Sequence, residues 1–135
     1  MKRLILLIDE DVEPMKYYVA ALRTKFTVVQ VSDPDEAVDY LADASKPKPD
    51  LIILDIMLPP GKRYLRRADT ERGLRTGILL YQDLHALYPC LPILVLTNLA
   101  SGKAEMVRTA QSVPAYEKIE LAPFELVEAV EELLQ

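Results

Sequence analysis

The sequence predicts an α/β protein: a doubly wound, five-stranded parallel sheet in the order 2-1-3-4-5, with helices on both faces. Three observations lead there. Short apolar runs alternate with helix-period patterns along the chain, which is how consecutive βα units read. Three of those runs, Leu4–Ile8, Leu51–Leu54 and residues 92–96, are apolar almost without a break, so both faces of those strands are buried. The remaining two strand candidates carry polar residues, and the order 2-1-3-4-5 is the one that puts them at the sheet edges.

The elements follow in turn. After the first strand, Met15, Tyr18, Val19 and Leu22 recur at helical spacing, with Pro14 suited to the first turn. Residues 26–31 make a second strand, interrupted by Thr27 and Gln30. Asp33-Pro34-Asp35-Glu36 reads as an N-cap, a proline at the first helical position and a carboxylate at the third. That helix is expected to run to about Ala44, before the stiff Lys46-Pro47-Lys48-Pro49 segment. Beyond the third strand, a long stretch separates Asp55 from a helix marked by Leu80, Leu84 and Leu87. The rest reads as a fourth strand, a weak helix over 104–111, a polar fifth strand over 115–119 and an amphipathic helix over 125–134.

Composition narrows the function. The chain has 135 residues, 50% of them apolar and 27% charged, which fits one ordinary domain, 1–135. The net charge of −5 argues against nucleic acid as a partner, and no apolar run nears the ~20 residues of a membrane span. A single cysteine, Cys90, and no signal peptide fit a cytoplasmic location.

In a sheet of this kind, ligands bind at the carboxyl ends of the strands. Strand 1 ends in Asp9-Glu10-Asp11, strand 3 in Asp55, strand 4 in Thr97-Asn98, and strand 5 carries Lys118. Carboxylates gathered in one crevice repel, and a hard divalent cation held by oxygen ligands, Mg²⁺ above all, relieves that repulsion. A hydroxyl and an ammonium opposite suit a phosphoryl group on the same metal, with the central Asp55 as nucleophile. Taken singly, such residues have plainer explanations: Asp11 as a helix N-cap, Thr97 as a structural hydroxyl, Lys118 as a solvated charge. Their joint occurrence at four strand ends favours the phosphoryl site.

The segments Leu6-Leu7-Ile8-Asp9-Glu10, Pro49-Asp50-Leu51-Ile52-Ile53-Leu54-Asp55-Ile56-Met57-Leu58-Pro59 and Pro92-Ile93-Leu94-Val95-Leu96-Thr97 resemble the receiver domain of two-component response regulators. The resemblance implies that Asp55 accepts a phosphoryl group from a sensor histidine kinase, a phosphotransfer protein or a small phosphodonor. It implies Mg²⁺ held by Asp9, Glu10, Asp55 and the main-chain carbonyl of Met57, with Glu10 as the direct ligand of the acidic pair. Thr97 matches the hydroxyl that turns onto the phosphoryl group, Tyr116 the aromatic that follows it, and Lys118 the strand-5 cation. The product is a protein-binding surface switched for a downstream target, with a possible homodimer, and no enzyme activity beyond the domain's own phosphorylation and dephosphorylation.

Three features depart from that pattern. Lys118 lies two residues after Tyr116 where the family has three, and Ile119 follows it in place of proline. A bulge near Glu117, or a Tyr116 that faces outward and never switches, would accommodate this. Lys118 keeps the phosphoryl role on electrostatic grounds, as the only Lys or Arg between Val113 and the C-terminus, with Arg63 or Arg66 as the substitute if it fails to reach. Asn98 stands where the family prefers a small residue. Finally, Gly77 lies 22 residues after Asp55, and the intervening insertion, about 60–76, carries Lys62, Arg63, Arg66, Arg67, Arg72 and Arg75 against Asp69 and Glu71. It is either a solvated loop or a docking element beside the site. Two other functions remain open: a receiver-like binding module independent of phosphorylation, and a haloacid-dehalogenase-type phosphatase with Asp9 as nucleophile and Asp11 as general acid.

Overall fold

The computed structural model describes residues 2–65, 76–98 and 113–135. Its strands are β1 (Leu4–Ile8), β2 (Thr27–Val31), β3 (Leu51–Leu54), β4 (Ile93–Thr97) and β5 (Ala115–Glu117). They form one parallel sheet in the order β2-β1-β3-β4-β5, as the apolar pattern predicts. The helices are α1 (Val12–Arg23), α2 (Pro34–Ala42), α3 (Thr76–Leu87) and α4 (Pro123–Leu133). The helix expected over 104–111 lies outside the described residues.

The continuous apolar runs are buried at every position of β1, β3 and β4. Side chains alternate across a strand, so each run feeds two cores. Leu6, Ile8, Ile52, Leu54 and Val95 meet α2 and α3 on one face. Ile5, Leu7, Ile53, Leu94 and Leu96 meet α1 and α4 on the other, through Met15, Leu22, Leu126 and Val130.

Local chemistry starts and stops the helices where the sequence places the signals, with small shifts. The Asp33 carboxylate accepts the Glu36 N–H at 2.9 Å, capping α2 ahead of Pro34. That helix ends at Ala42, two residues before the expected Ala44, because the Asp43 carboxylate turns to the Ser45 N–H and hydroxyl. In α4, Pro123 leads, and the Glu125 carboxylate accepts the Ala122 N–H at 2.8 Å, two residues before the expected start. The fifth strand is shorter than expected: it stops at Glu117, and Lys118–Glu120 form a 3-10 turn.

Because all five strands run the same way, their carboxyl ends share one edge. Gly77 brings α3 to that edge. Its N–H donates to the Ile56 carbonyl at 3.1 Å, and a Cβ there would stand 2.3 Å from the Ile56 Cα. Only glycine lets the helix approach the β3 exit so closely.

Candidate functional site

Asp9 and Asp55 follow the last residues of β1 and β3, and both are almost fully buried. The sheet continues past them: the Asp9 N–H donates to the Val31 carbonyl and the Asp55 N–H to the Ile8 carbonyl, each at 3.0 Å. Backbone pairing with the neighbouring strand therefore holds both carboxylates against the edge.

Both oxygens of the Asp55 carboxylate have partners. Oδ1 accepts the Met57 N–H at 3.0 Å and the Thr97 hydroxyl at 2.9 Å. Oδ2 faces the Lys118 ammonium at 3.5 Å. Lys118 in turn contacts Asp9 Oδ2 at 2.8 Å, while Asp9 Oδ1 accepts the Asp11 N–H at 2.8 Å. Thr97 has no exposed surface, and Lys118 is buried too. Four strand ends thus converge on one polar crevice, as the sequence predicts. The ammonium lies well inside charge-pair range of Asp55, so Arg63 is not needed as its substitute.

Burial pushes the Asp55 carboxyl up to about 6, against the pull of the Lys118 charge and the Met57 and Thr97 hydrogen bonds; the nearby Asp9 charge adds to the rise. For Lys118, burial works to lower the pKa, but Asp55 and Asp9 outweigh it and hold the ammonium above its ordinary value. Lys118 therefore stands as one cation between two carboxylates, Asp9 and Asp55.

One carboxylate oxygen from each of Asp9, Asp11 and Asp55 lies within 4.8 Å of the others. Ligand oxygens about 2 Å from a hard divalent cation span such distances, so these residues fit a metal of that class. The third member is Asp11, whereas the resemblance implies Glu10. Asp11 occupies the N-cap position of α1, yet its side chain makes no capping hydrogen bond, which frees the carboxylate for the cluster. Glu10 is exposed and outside the three-residue group. Met57 is placed by its N–H on Asp55, with its side chain partly exposed.

Tyr116 is placed differently from the aromatic it resembles. In the β4–β5 register Leu96 pairs with Tyr116 and Thr97 with Glu117. Paired residues share a face and neighbours alternate, so Tyr116 lies on the face opposite Thr97. There it packs half-buried against the α1–α4 core. Neither a bulge nor an outward Tyr116 reconciles the short spacing to Lys118. The strand simply ends, and the turn swings Lys118 into the crevice. Asn98 is exposed.

Two contributors escape a reading by strand ends. Tyr18, on α1, sends its hydroxyl to the carbonyls of Lys118 and Leu121, both at 2.7 Å. Its helical spacing marks it as a packing residue and gives no hint of this partner. On the other side, the stem of the insertion folds down. Asp35 accepts the N–H groups of Lys62 at 2.7 Å and Arg63 at 3.1 Å, and Gly61 adopts a left-handed φ of 62° beside it. Tyr64 is buried, with its hydroxyl on the Asp83 carboxylate, and burial together with that contact pushes its pKa up to about 12. Residues 66–75 of the insertion lie outside the described residues.

Comparison with known proteins agrees with this architecture. No family model matches the sequence, and no curated protein matches it. Solved structures do. The BeF3-activated N-terminal receiver domain of RstA from Klebsiella pneumoniae is similar at a TM-score of 0.75 and 26% identity, over 98% of this chain and 99% of that one. A CheY-like response regulator receiver domain protein from Methanospirillum hungatei has a TM-score of 0.72 at 21% identity, over 99% and 94%. The response regulator DrrB of Thermotoga maritima has 0.73 at 18% identity, where 99% of this chain covers 53% of that one. An acidic crevice at the carboxyl edge of a 2-1-3-4-5 sheet, in a chain that such structures cover end to end, has one reading: the chain has the receiver fold of response regulators.

Proposed function

We propose that this domain, 1–135 with its basic insertion, is a phosphoacceptor receiver in which Asp55 takes a phosphoryl group in the presence of Mg²⁺. The observation that carries the reading is the Asp55 carboxylate itself. It is buried at the sheet edge, fixed through Oδ1 by Thr97 and Met57, and faced through Oδ2 by Lys118 at 3.5 Å.

Asp9, Asp11 and Asp55, with the Met57 carbonyl and the exposed Glu10 as further candidates, would hold the metal, which supplies charge neutralisation for the incoming phosphoryl oxygens. The Asp55 carboxylate attacks phosphorus. The new P–O bond forms as the bond to the donor breaks, and the leaving group of a phosphohistidine or an acyl phosphate departs with its electron pair. Lys118 offsets the added negative charge from the β5 side. Thr97 can transfer its hydroxyl hydrogen bond from the carboxylate to the phosphoryl group. A histidine kinase or phosphotransfer protein would be the donor, and a downstream protein would read the changed surface. The work is then signalling, and the chemistry is the domain's own phosphorylation and dephosphorylation at Asp55.

Acetyl phosphate with Mg²⁺ tests this. An acid-labile, hydroxylamine-sensitive label should appear on the wild-type chain and vanish in Asp55→Asn. A label that persists on Asp55→Asn sinks the proposal, and one that moves to Asp9 favours the phosphatase reading. Absence of any label on the wild type favours a phosphorylation-independent binding module. One feature is in keeping with that module: Tyr116 stands on the face opposite Thr97 and is not placed to follow it.

A further inference from the structure

We propose that Tyr18 is a positioning residue: its hydroxyl ties the turn that carries Lys118 to helix α1 and so sets where the ammonium stands. The consequence for phosphorylation rests on the phosphoacceptor reading of Asp55, but the tie itself does not.

Among the described residues, the turn is held at its ends by the Lys118 contacts to Asp9 and Asp55 and by Leu121 against the α1–α4 core. Its own hydrogen bonding is sparse. Lys118–Glu120 is one 3-10 turn with no side-chain cap, and its closing backbone bond, from the Leu121 N–H to the Lys118 carbonyl, is long at 3.4 Å. Ile119 is 90% exposed, so it supplies no apolar anchor. Short 3-10 segments have poor hydrogen-bond geometry and depend on their surroundings. The Tyr18 hydroxyl supplies that support. It lies 2.7 Å from the carbonyl of Lys118 and 2.7 Å from that of Leu121, sharing its proton between the two ends of the turn.

The anchor point is rigid. Met15, Val19 and Leu22 of the same helix are buried in the core that α1 shares with α4. The N-cap residue of helix α1 is Asp11, a member of the carboxylate cluster. One helix therefore places an acid of the crevice at its N-terminus and the cation of the crevice through Tyr18. A shift of the turn by about 1 Å would spoil a 2.8 Å contact to Asp9, and misplacements of that size cost up to about a hundredfold in rate at a reacting centre.

The test compares Tyr18→Phe with Val127→Ala in the full chain. The first keeps the ring and removes only the hydroxyl. The second removes buried methyl groups from the same α1–α4 core and leaves the hydrogen-bonding groups of the turn in place. The first readout needs no phosphorylation: the side-chain ammonium signal of Lys118 in ¹⁵N-lysine-labelled protein, assigned with Lys118→Met. A buried, paired ammonium exchanges its protons slowly and gives a resolved signal. Tyr18→Phe should displace or abolish it, and Val127→Ala should leave it in place. The second readout is the rate of labelling by acetyl phosphate with Mg²⁺, which should fall about tenfold or more in Tyr18→Phe and stay within about twofold in Val127→Ala.

An unchanged Lys118 signal in Tyr18→Phe overturns the proposal, whatever the labelling rate does. So does an equal loss of the signal in Val127→Ala, which would make the effect one of general stability. A displaced signal in Tyr18→Phe, in a protein whose wild type takes no label, upholds the tie and removes the phosphoacceptor reading instead.

Discussion

Two regions flank Asp55, and both depart from the spacing of the family the sequence resembles: the β5–α4 turn and the stem of the β3–α3 insertion. Each is pinned by a tyrosine hydroxyl, but to opposite effect. Tyr18 holds a backbone turn and thereby delivers the Lys118 charge into the crevice. Tyr64 is itself the buried plug, and the charge beside it is drawn off: Arg63 Nε donates to the Tyr64 hydroxyl at 3.3 Å and pairs with Asp83 at 3.6 Å. The insertion carries six cations and the turn one. Of those described in the insertion, Lys62 and Arg63 are exposed, whereas Lys118 is buried between two acids. Among the described cations, burial and a supporting backbone place Lys118 in the crevice, whereas Lys62 and Arg63 stay at the surface.

The largest effect should come from removing the buried cation. Lys118→Met leaves Asp9 and Asp55 facing each other without compensation, and should destabilise the metal-free protein at pH 7 by about 3 kcal/mol. Arg63→Met, at a half-exposed pair, should change stability by less than about 1 kcal/mol. Urea denaturation of both variants compares them directly, and equal losses would erase the contrast between the regions.

Next is the acid between them. The native state holds the Asp55 proton more tightly than the unfolded chain, because the carboxyl is pushed up to about 6. The stability this contributes is present below the ordinary carboxylate pKa and is lost as pH rises through about 6. Asp55→Asn should therefore stabilise the metal-free protein at neutral pH by about 2 kcal/mol and give little or no gain near pH 4. A gain independent of pH would assign the effect to packing.

The insertion stem should respond to its glycine. At Gly61 a Cβ would meet the Asp35 carboxylate at 2.6 Å, and φ is 62°. Gly61→Ala should cost about 1–2 kcal/mol and leave the Lys118 ammonium signal unmoved, since it disturbs only the stem. The smallest effect separates two neighbours. Mg²⁺ should raise the melting temperature beyond an equal ionic strength of NaCl. Asp11→Asn should lessen that stabilisation by about 1 kcal/mol, roughly a fivefold loss of affinity, and more than Glu10→Gln does. The reverse ranking would return the ligand role to Glu10.

The sheet order was legible because burial on both faces demands uninterrupted apolar residues in β1, β3 and β4, and edge position tolerates Thr27, Gln30 and Glu117. Asp9, Asp55, Thr97 and Lys118 were legible for a related reason: a parallel sheet sends all its carboxyl ends to one edge, so residues ending separate strands must meet. That much depends on periodicity and topology alone, and the sequence carries both. The choice between Glu10 and Asp11, the face taken by Tyr116 and the tie from Tyr18 to Lys118 depend on something else. Each turns on where a strand stops and how the following backbone bends, over one or two residues. Those bends are set by contacts between segments up to 103 positions apart in the chain, and no local pattern encodes them.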